Sequence, residues 1–357
     1  MNLNLRFLIE RSRSAIARRI GYPIDLIESA SMEVLDNGGP TAGGSCVVLP
    51  NQFDRVTACA FELDPKKEIA ELSGAYRTVP PTVRYELKNV IIHDGIIYGG
   101  SKRKYFNPEV DFGPAATDWL ESDELALRSS FVGCHFFGHW LRDDCATHLL
   151  AETTNHATGI PTPAWPDKAG YLELFRQSPA DVRRAYVRRL VLFDDIHQTN
   201  HKGIRFRRLR ERIASTRSAK SDRKIVYLAR GAQGKQRHLV NEPQLIEALS
   251  TRGIKIVRAE TLSVQELILQ LSGAEIIISI EGSQLSHALY TVANGGGILV
   301  LQPPNRFFNS HFDWARLLDI AYGIVVGRPQ EDGFQIPLDD VIRTLDLLRN
   351  RTAQTAF

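Results

Sequence analysis

Long apolar runs are missing from this chain. No stretch approaches the ~18–20 residues of a membrane-spanning helix. The longest aliphatic run, residues 276–280, has the length of a buried strand. A secretory leader is not expected, because Arg6, Glu10, Arg11 and Arg13 interrupt the candidate core. Cysteine is scarce: Cys46, Cys59, Cys134 and Cys145 form no CxxC pair and no disulfide framework. A reduced, cytoplasmic setting follows as the expectation. Charge of one sign is lacking too. Lys+Arg number 44 against 41 Asp+Glu, a net +3, too even for a chain whose main partner is nucleic acid. Residues 3–20 mix Leu3, Phe7, Leu8, Ile16 and Ile20 with Arg6, Arg11, Arg13, Arg18 and Arg19. They read as a solvated basic segment, or as a helix in peripheral contact with an anionic membrane surface at its inner face.

What is present is a core-forming composition, 43% hydrophobic over 357 residues, enough for two domains. The second half is regular. Residues 224–230 (KIVYLAR) form a buried strand, followed by a glycine- and cation-rich loop with Gly231, Gly234, Lys235 and Arg237. Asn241 suits a helix N-cap, with Pro243 early in the helix and Gly253 at its end. Residues 254–259 give a second strand. Ser263 and Glu266 predict a capping box for the next helix. Residues 275–280 are a third strand, Glu281-Gly282-Ser283-Gln284 a tight turn into a helix, and residues 298–302 a fourth strand. This alternation predicts an α/β fold with a parallel sheet and a ligand crevice at the carboxyl ends of its strands.

The first half is less regular. Residues 47–49 and 56–61 are short strand candidates, and residues 90–98 suggest a hairpin turning at Asp94-Gly95. Residues 131–135 suggest a strand leading into a helix over 138–152. Residues 189–193 suggest a strand ending in Asp194-Asp195. The polar stretch 214–223 is the best linker. Residues 338–348 form an amphipathic helix expected to cross back over the first domain. The resulting division is a basic segment 1–20, a first domain 21–213, a linker 214–223, a second domain 224–330 and a returning helix 331–357.

Three constellations point to chemistry. Arg230, Lys235, Arg237 and His238 gather cations at the carboxyl end of a parallel strand, where a phosphate would bind. The spacing is not that of a P-loop. The turn through Glu281, Gly282, Ser283 and Gln284 offers backbone N–H groups at a helix start, a second anion site, and a diphosphate could be held by both. In residues 137–144 (FGHWLRDD), His139 and Asp143 share a helix face at i,i+4, a base and its orienter or a local core pair. A metal set from His135, His139, Asp143 and His148 lacks a recognised spacing. Asp194 and Asp195 could instead ligate a divalent cation.

These blocks, in this order, resemble glycosyltransferase family 61, whose bacterial members are associated with capsular-polysaccharide biosynthesis. Residues 137–143 resemble the family's aromatic block ending in His-Trp-Leu-x-Asp. Residues 227–230 with Arg237, Asn241 and Glu242 resemble its strand ending in Arg followed by Arg and Asn-Glu. Residues 262–285 resemble the block that closes the donor site. One departure stands out: Glu281 occupies the position before the glycine where the family usually has His. The resemblance implies a GT-B fold, two Rossmann-like domains facing across a cleft. It also implies an inverting transfer from a nucleotide sugar to a glycan acceptor, without metal or other cofactor. On this reading Asp143, or His139 paired with it, takes the acceptor proton. Arg230, Lys235, Arg237, Asn241, Glu281, Gly282, Ser283 and Gln284 hold the donor. A catalytically silent nucleotide- or glycan-binding protein is the alternative from another class.

Overall fold

The computed structural model describes residues 2–22, 25–41, 44–106, 110–112, 118–154, 156–214, 224–230 and 237–355. The fold is mixed α/β. It divides into two compact units, one formed by Met1–Gly38 with Pro80–Arg205, the other by Gly39–Val79 with Phe206–Phe357.

The second unit is built on a six-stranded, wholly parallel sheet. Its order is Lys255–Arg258, Ile225–Ala229, Ala274–Ile280, Val292–Gln302, Ala321–Val326 and Val47–Val48. The predicted strands are all there. Ile, Leu and Val run almost without interruption because both faces of the sheet are covered: Ile276, Ile277, Ile278 and Leu299 are fully buried. Chain order reverses between Ile225–Ala229 and Ala274–Ile280, which makes their carboxyl ends the topological switch point of the sheet. The capping box of Ser263 and Glu266 forms as expected.

Three expectations about this unit are corrected. Residues 39–79 belong to it. Val47 and Val48 pair with Gly323 and Ile324, and Arg55 donates to Asp340 at 2.7 Å and to the Val326 carbonyl at 2.9 Å. Residues 56–61 form no strand, but turn through the short helical pieces Phe53–Arg55 and Ala60–Glu62. The C-terminal helix Leu338–Thr355 packs on the sheet of its own unit rather than crossing back. Gly297 and Gly323 leave room for it: a Cβ at either would lie 3.2 Å from Leu348 Cδ2. Of the expected linker, Ala214 ends the helix Asn200–Ala214, and residues 215–223 lie outside the described residues.

The first unit carries a mixed sheet in place of the expected Rossmann-like one. Ala180–Asp181, Ala157–Gly159, Leu120–Leu127 and Arg184–Asp194 run parallel. Thr82–His93, Ile96–Gly99 and Lys102–Tyr105 continue the sheet antiparallel, with Ser31–Asp36 also on Thr82–His93. The cause is local. The Asp94-Gly95 turn, with φ of 46° and 78°, forms the predicted hairpin, and so short a connection permits only antiparallel neighbours. Residues 131–135 are a helix, not a strand, because the Ser130 side chain caps it by accepting from Gly133 N–H. Leu3–Arg19 is a helix that buries Phe7, Ser14 and Ala17.

Candidate functional site

The first candidate site lies at the switch point of the second unit. Arg230 directly follows the strand Ile225–Ala229. Its Nη1 donates to the Glu281 carbonyl at 3.1 Å and to Gln284 Oε1 at 3.2 Å. Arg237 Nη2 sits 2.6 Å from Glu281 Oε2. Arg306, four residues past the end of Val292–Gln302, adds a third cation to the same electrostatic cluster. Burial, then the charge of Arg237, brings the Arg230 guanidinium down to about 10. Arg237 is lowered for the same kind of reason, with Arg306 opposing its charge. Burial pushes the Glu281 carboxyl up against the pull of all three arginines. Three crowded cations thus share one acid, itself disfavoured as an anion. The Nε atoms of Arg237 and Arg306 are buried with no hydrogen-bond partner among the described residues. Such a cluster is stabilised by a further anion.

Gly282 makes the arrangement possible. Its φ is 152°, and a Cβ there would fall 2.0 Å from Arg230 Nη1. The turn it opens is shorter than the sequence suggests: Ser283–Leu285 is a single 3₁₀ turn before the helix Ser286–Thr291. Gln284 is held within the turn, its Nε2 donating to the Ile280 carbonyl at 2.9 Å. Asn241 is taken out of the expected donor set. It sits at the N-cap position without capping through its side chain. That side chain instead donates to the Ile336 carbonyl at 2.8 Å and accepts from Ile336 N–H at 3.0 Å. Lys235 lies outside the described residues. Arg306 was not among the expected residues. The available signal was its place just after a parallel strand, at the edge that also carries Arg230 and Glu281.

The second candidate site lies in the first unit. The helix through Phe137–His139 widens to a π-helical segment over Trp140–Asp144 and resumes as Cys145–Ala151, a local irregularity frequent at functional positions. His139 Nδ1 lies 2.9 Å from Asp143 Oδ2 and 2.7 Å from Arg142 Nη2. Asp143 is fully buried. It accepts from Arg142 Nε at 2.8 Å and Nη2 at 2.6 Å, from Lys202 Nζ at 2.6 Å and from Gln198 Nε2 at 3.3 Å. Burial alone would raise its carboxyl. Arg142, Lys202 and the His139 hydrogen bond outweigh that and hold it well below the usual carboxylate range. Asp143 is therefore a permanently charged anchor and a feeble base. His139 keeps 17% of its side chain exposed. Burial, then the charge of Arg142, lowers its pKa, so it is neutral near pH 7.

Of the residues considered for a divalent cation, Asp195 is held inside its own unit. Asp195 accepts from Thr82 and Thr147 hydroxyls and, at 2.6 and 2.8 Å, from both terminal nitrogens of Arg205. Those four donors occupy both oxygens. His135 bonds the Phe131 carbonyl and His148 lies 3.2 Å from Glu152. Among the described residues, no group of three or more His, Cys, Asp or Glu side chains is placed to hold a metal ion.

No curated protein matches the chain. Residues 137–299 match the model of the family described as Glycosyltransferase 61. The matched stretch begins at the first residue of the His139 helix and takes in Arg230, Arg237 and the Glu281 turn. Over this stretch, a little under half of its length, the chain is similar to glycosyltransferase family 61.

Proposed function

We propose that this protein is an inverting, metal-independent glycosyltransferase. It moves a sugar from a nucleoside-diphosphate donor to a hydroxyl of a glycan acceptor in the synthesis of a surface polysaccharide, on the cytoplasmic side. The observation that carries this reading is the convergence of Arg230, Arg237 and Arg306 on Glu281 at the switch point of the parallel sheet. Guanidinium groups bind phosphate bidentately and stay charged. They stabilise the departing diphosphate as negative charge develops on it, which is the task a metal ion performs elsewhere. His139, steadied through Nδ1 by Asp143, takes the acceptor proton at Nε2 in a single displacement at the anomeric carbon. Glu281 accepts a ribose or sugar hydroxyl once the diphosphate shares its arginines.

Calorimetry against UDP, GDP, CDP and the corresponding nucleotide sugars tests this. At least one should bind, and turnover should persist in excess EDTA. Arg306→Ala should weaken the binding nucleotide by about 1.5–3 kcal/mol, the span of a charge-assisted hydrogen bond. A folded protein that binds none of these nucleotides would remove the donor assignment. The silent-protein alternative has one observation in its favour, that Glu281 already supplies an anion to the arginines. Nucleotide binding without sugar release would support it.

A further inference from the structure

The helix Leu3–Arg19 packs on the strands Ile96–Gly99 and Lys102–Tyr105 through one side only. Phe7 stacks on His93 with centroids 3.8 Å apart, and the Arg6 guanidinium lies 3.9 Å from the centre of the Tyr186 ring. The opposite side is apolar yet uncovered. Leu5, Leu8, Ile16 and, just past the helix end, Ile20 are 52%, 53%, 60% and 74% exposed. At 3.6 residues per turn these four span an arc of about 120°. Its centre is turned about 160° from that of the buried Phe7, Ser14 and Ala17. On the same helical wheel Arg13 borders the arc on one side, Arg19 and Ser12 lie within it, and Arg11 and Arg18 lie about 60° and 80° beyond its other edge. Residues 2–22 hold five arginines and one glutamate, a net +4, in a chain whose total is +3. The rest of the molecule together therefore carries −1.

A cavity of about 420 Å³ runs along the seam of the helix, lined by Phe7, Arg11, His93, Asp94, Tyr98 and Arg103. Asp94 is neutralised by Arg183 at 2.7 Å and Arg184 at 3.4 Å, which leaves Arg11 and Arg103 as cations of its wall. Arg103 Nε is buried without a hydrogen-bond partner among the described residues.

We propose that this helix docks the protein on an anionic phospholipid surface. Leu5, Leu8, Ile16 and Ile20 enter the boundary between headgroups and acyl chains, the flanking arginines meet lipid phosphates, and the Arg11–Arg103 cavity receives one headgroup. An apolar stripe bordered by arginines is the form an interfacial helix takes. A second copy of the chain is the weaker occupant, because it would set +4 against +4 across the same face. The proposal is independent of the transferase reading, since no residue in it belongs to either candidate site.

Sedimentation of the full chain with vesicles tests it. Phosphatidylcholine vesicles with about 30 mol% phosphatidylglycerol should bind at least ~10-fold more tightly than phosphatidylcholine alone, and about 0.5 M NaCl should release the protein. Arg13→Gln/Arg19→Gln and Leu8→Gln/Ile16→Gln change exposed side chains and should each lower binding ~10-fold or more while leaving the melting temperature unchanged. Arg103→Gln should lower binding to the anionic vesicles but not to phosphatidylcholine. Equal binding to both vesicle types, or wild-type binding by both double variants, would overturn the proposal. So would a concentration-dependent dimer that Leu8→Gln/Ile16→Gln abolishes, which would assign the face to a second copy.

Discussion

At the scale of single residues, His139 and Asp143 have different tasks although they lie 2.9 Å apart. A base needs a pKa near working pH and a lone pair that can reach the acceptor. Asp143 has neither, being buried among Arg142, Lys202 and Gln198. His139→Ala should lower turnover by ~10² or more with nearly unchanged donor affinity, the loss usual for a general base. The wild-type kcat/KM profile should fall off only below pH 6.5, because the imidazole pKa is lowered. Asp143→Asn should behave differently. It leaves Arg142 and Lys202 buried without their counter-charge, at a cost of about 3–5 kcal/mol of stability. Stopped turnover together with urea denaturation measures both. An Asp143→Asn protein of wild-type stability that has lost all activity would return the base role to Asp143.

At the scale of elements, what the sequence reveals depends on how many faces an element buries. The strands through Tyr227, Ile277 and Leu299 were legible because burial on both sides leaves unbroken aliphatic runs. The anion site was legible in part for the same reason, since Arg230 and Glu281 follow such runs directly. Arg306 was harder to see, because Pro303 and Pro304 separate the strand end from the cation. Val47–Val48 is two residues long, so nothing in it names the sheet it joins. The helix Leu338–Thr355 was legible by period, but its destination was not. Its docking surface is made by Gly297 and Gly323, and a glycine's neighbours in sequence do not mark it as the floor of a groove. Leu348, fully buried on that floor, tests the placement. Leu348→Ala should destabilise the second unit by about 2–5 kcal/mol. Hydrogen exchange should then quicken in Val292–Gln302 and Ala321–Val326 while the first unit's sheet keeps its protection.

At the scale of the whole molecule, two buried and two half-buried groups set a pH response whose halves oppose each other. Burial lowers His287 to about 4 and lowers His139 as well. Between their ordinary 6.5 and these lowered values, the unfolded chain binds protons that the native state refuses. Their contribution is therefore present above pH 6.5 and is lost as the pH falls. Asp144 and Glu68 act the other way, both raised to about 7 by burial. Their contribution is complete below the ordinary carboxylate pKa and is lost as the pH rises through 7, when a buried carboxyl must charge. Near Asp144 the cause is visible. Its Oδ1 accepts from Ser130 N–H and hydroxyl, while Oδ2 has no hydrogen-bond partner among the described residues. Between pH 4 and 7 the two pairs offset, so the wild-type stability curve should be flatter there than either pair alone would make it. Single substitutions expose each half. Asp144→Asn keeps the oxygen that Ser130 bonds and cannot ionise, so its melting temperature relative to wild type should be higher at pH 8 than at pH 5. His287→Gln should show the reverse, gaining on wild type at pH 4.5 relative to pH 7.5. Each pH unit in which only one state titrates is worth about 1.4 kcal/mol, well within calorimetric reach. The two residues lie in different units, so the double variant should show both differences added. Equal offsets at the two pH values for Asp144→Asn would mean that this carboxyl is already ionised in the native state at pH 5.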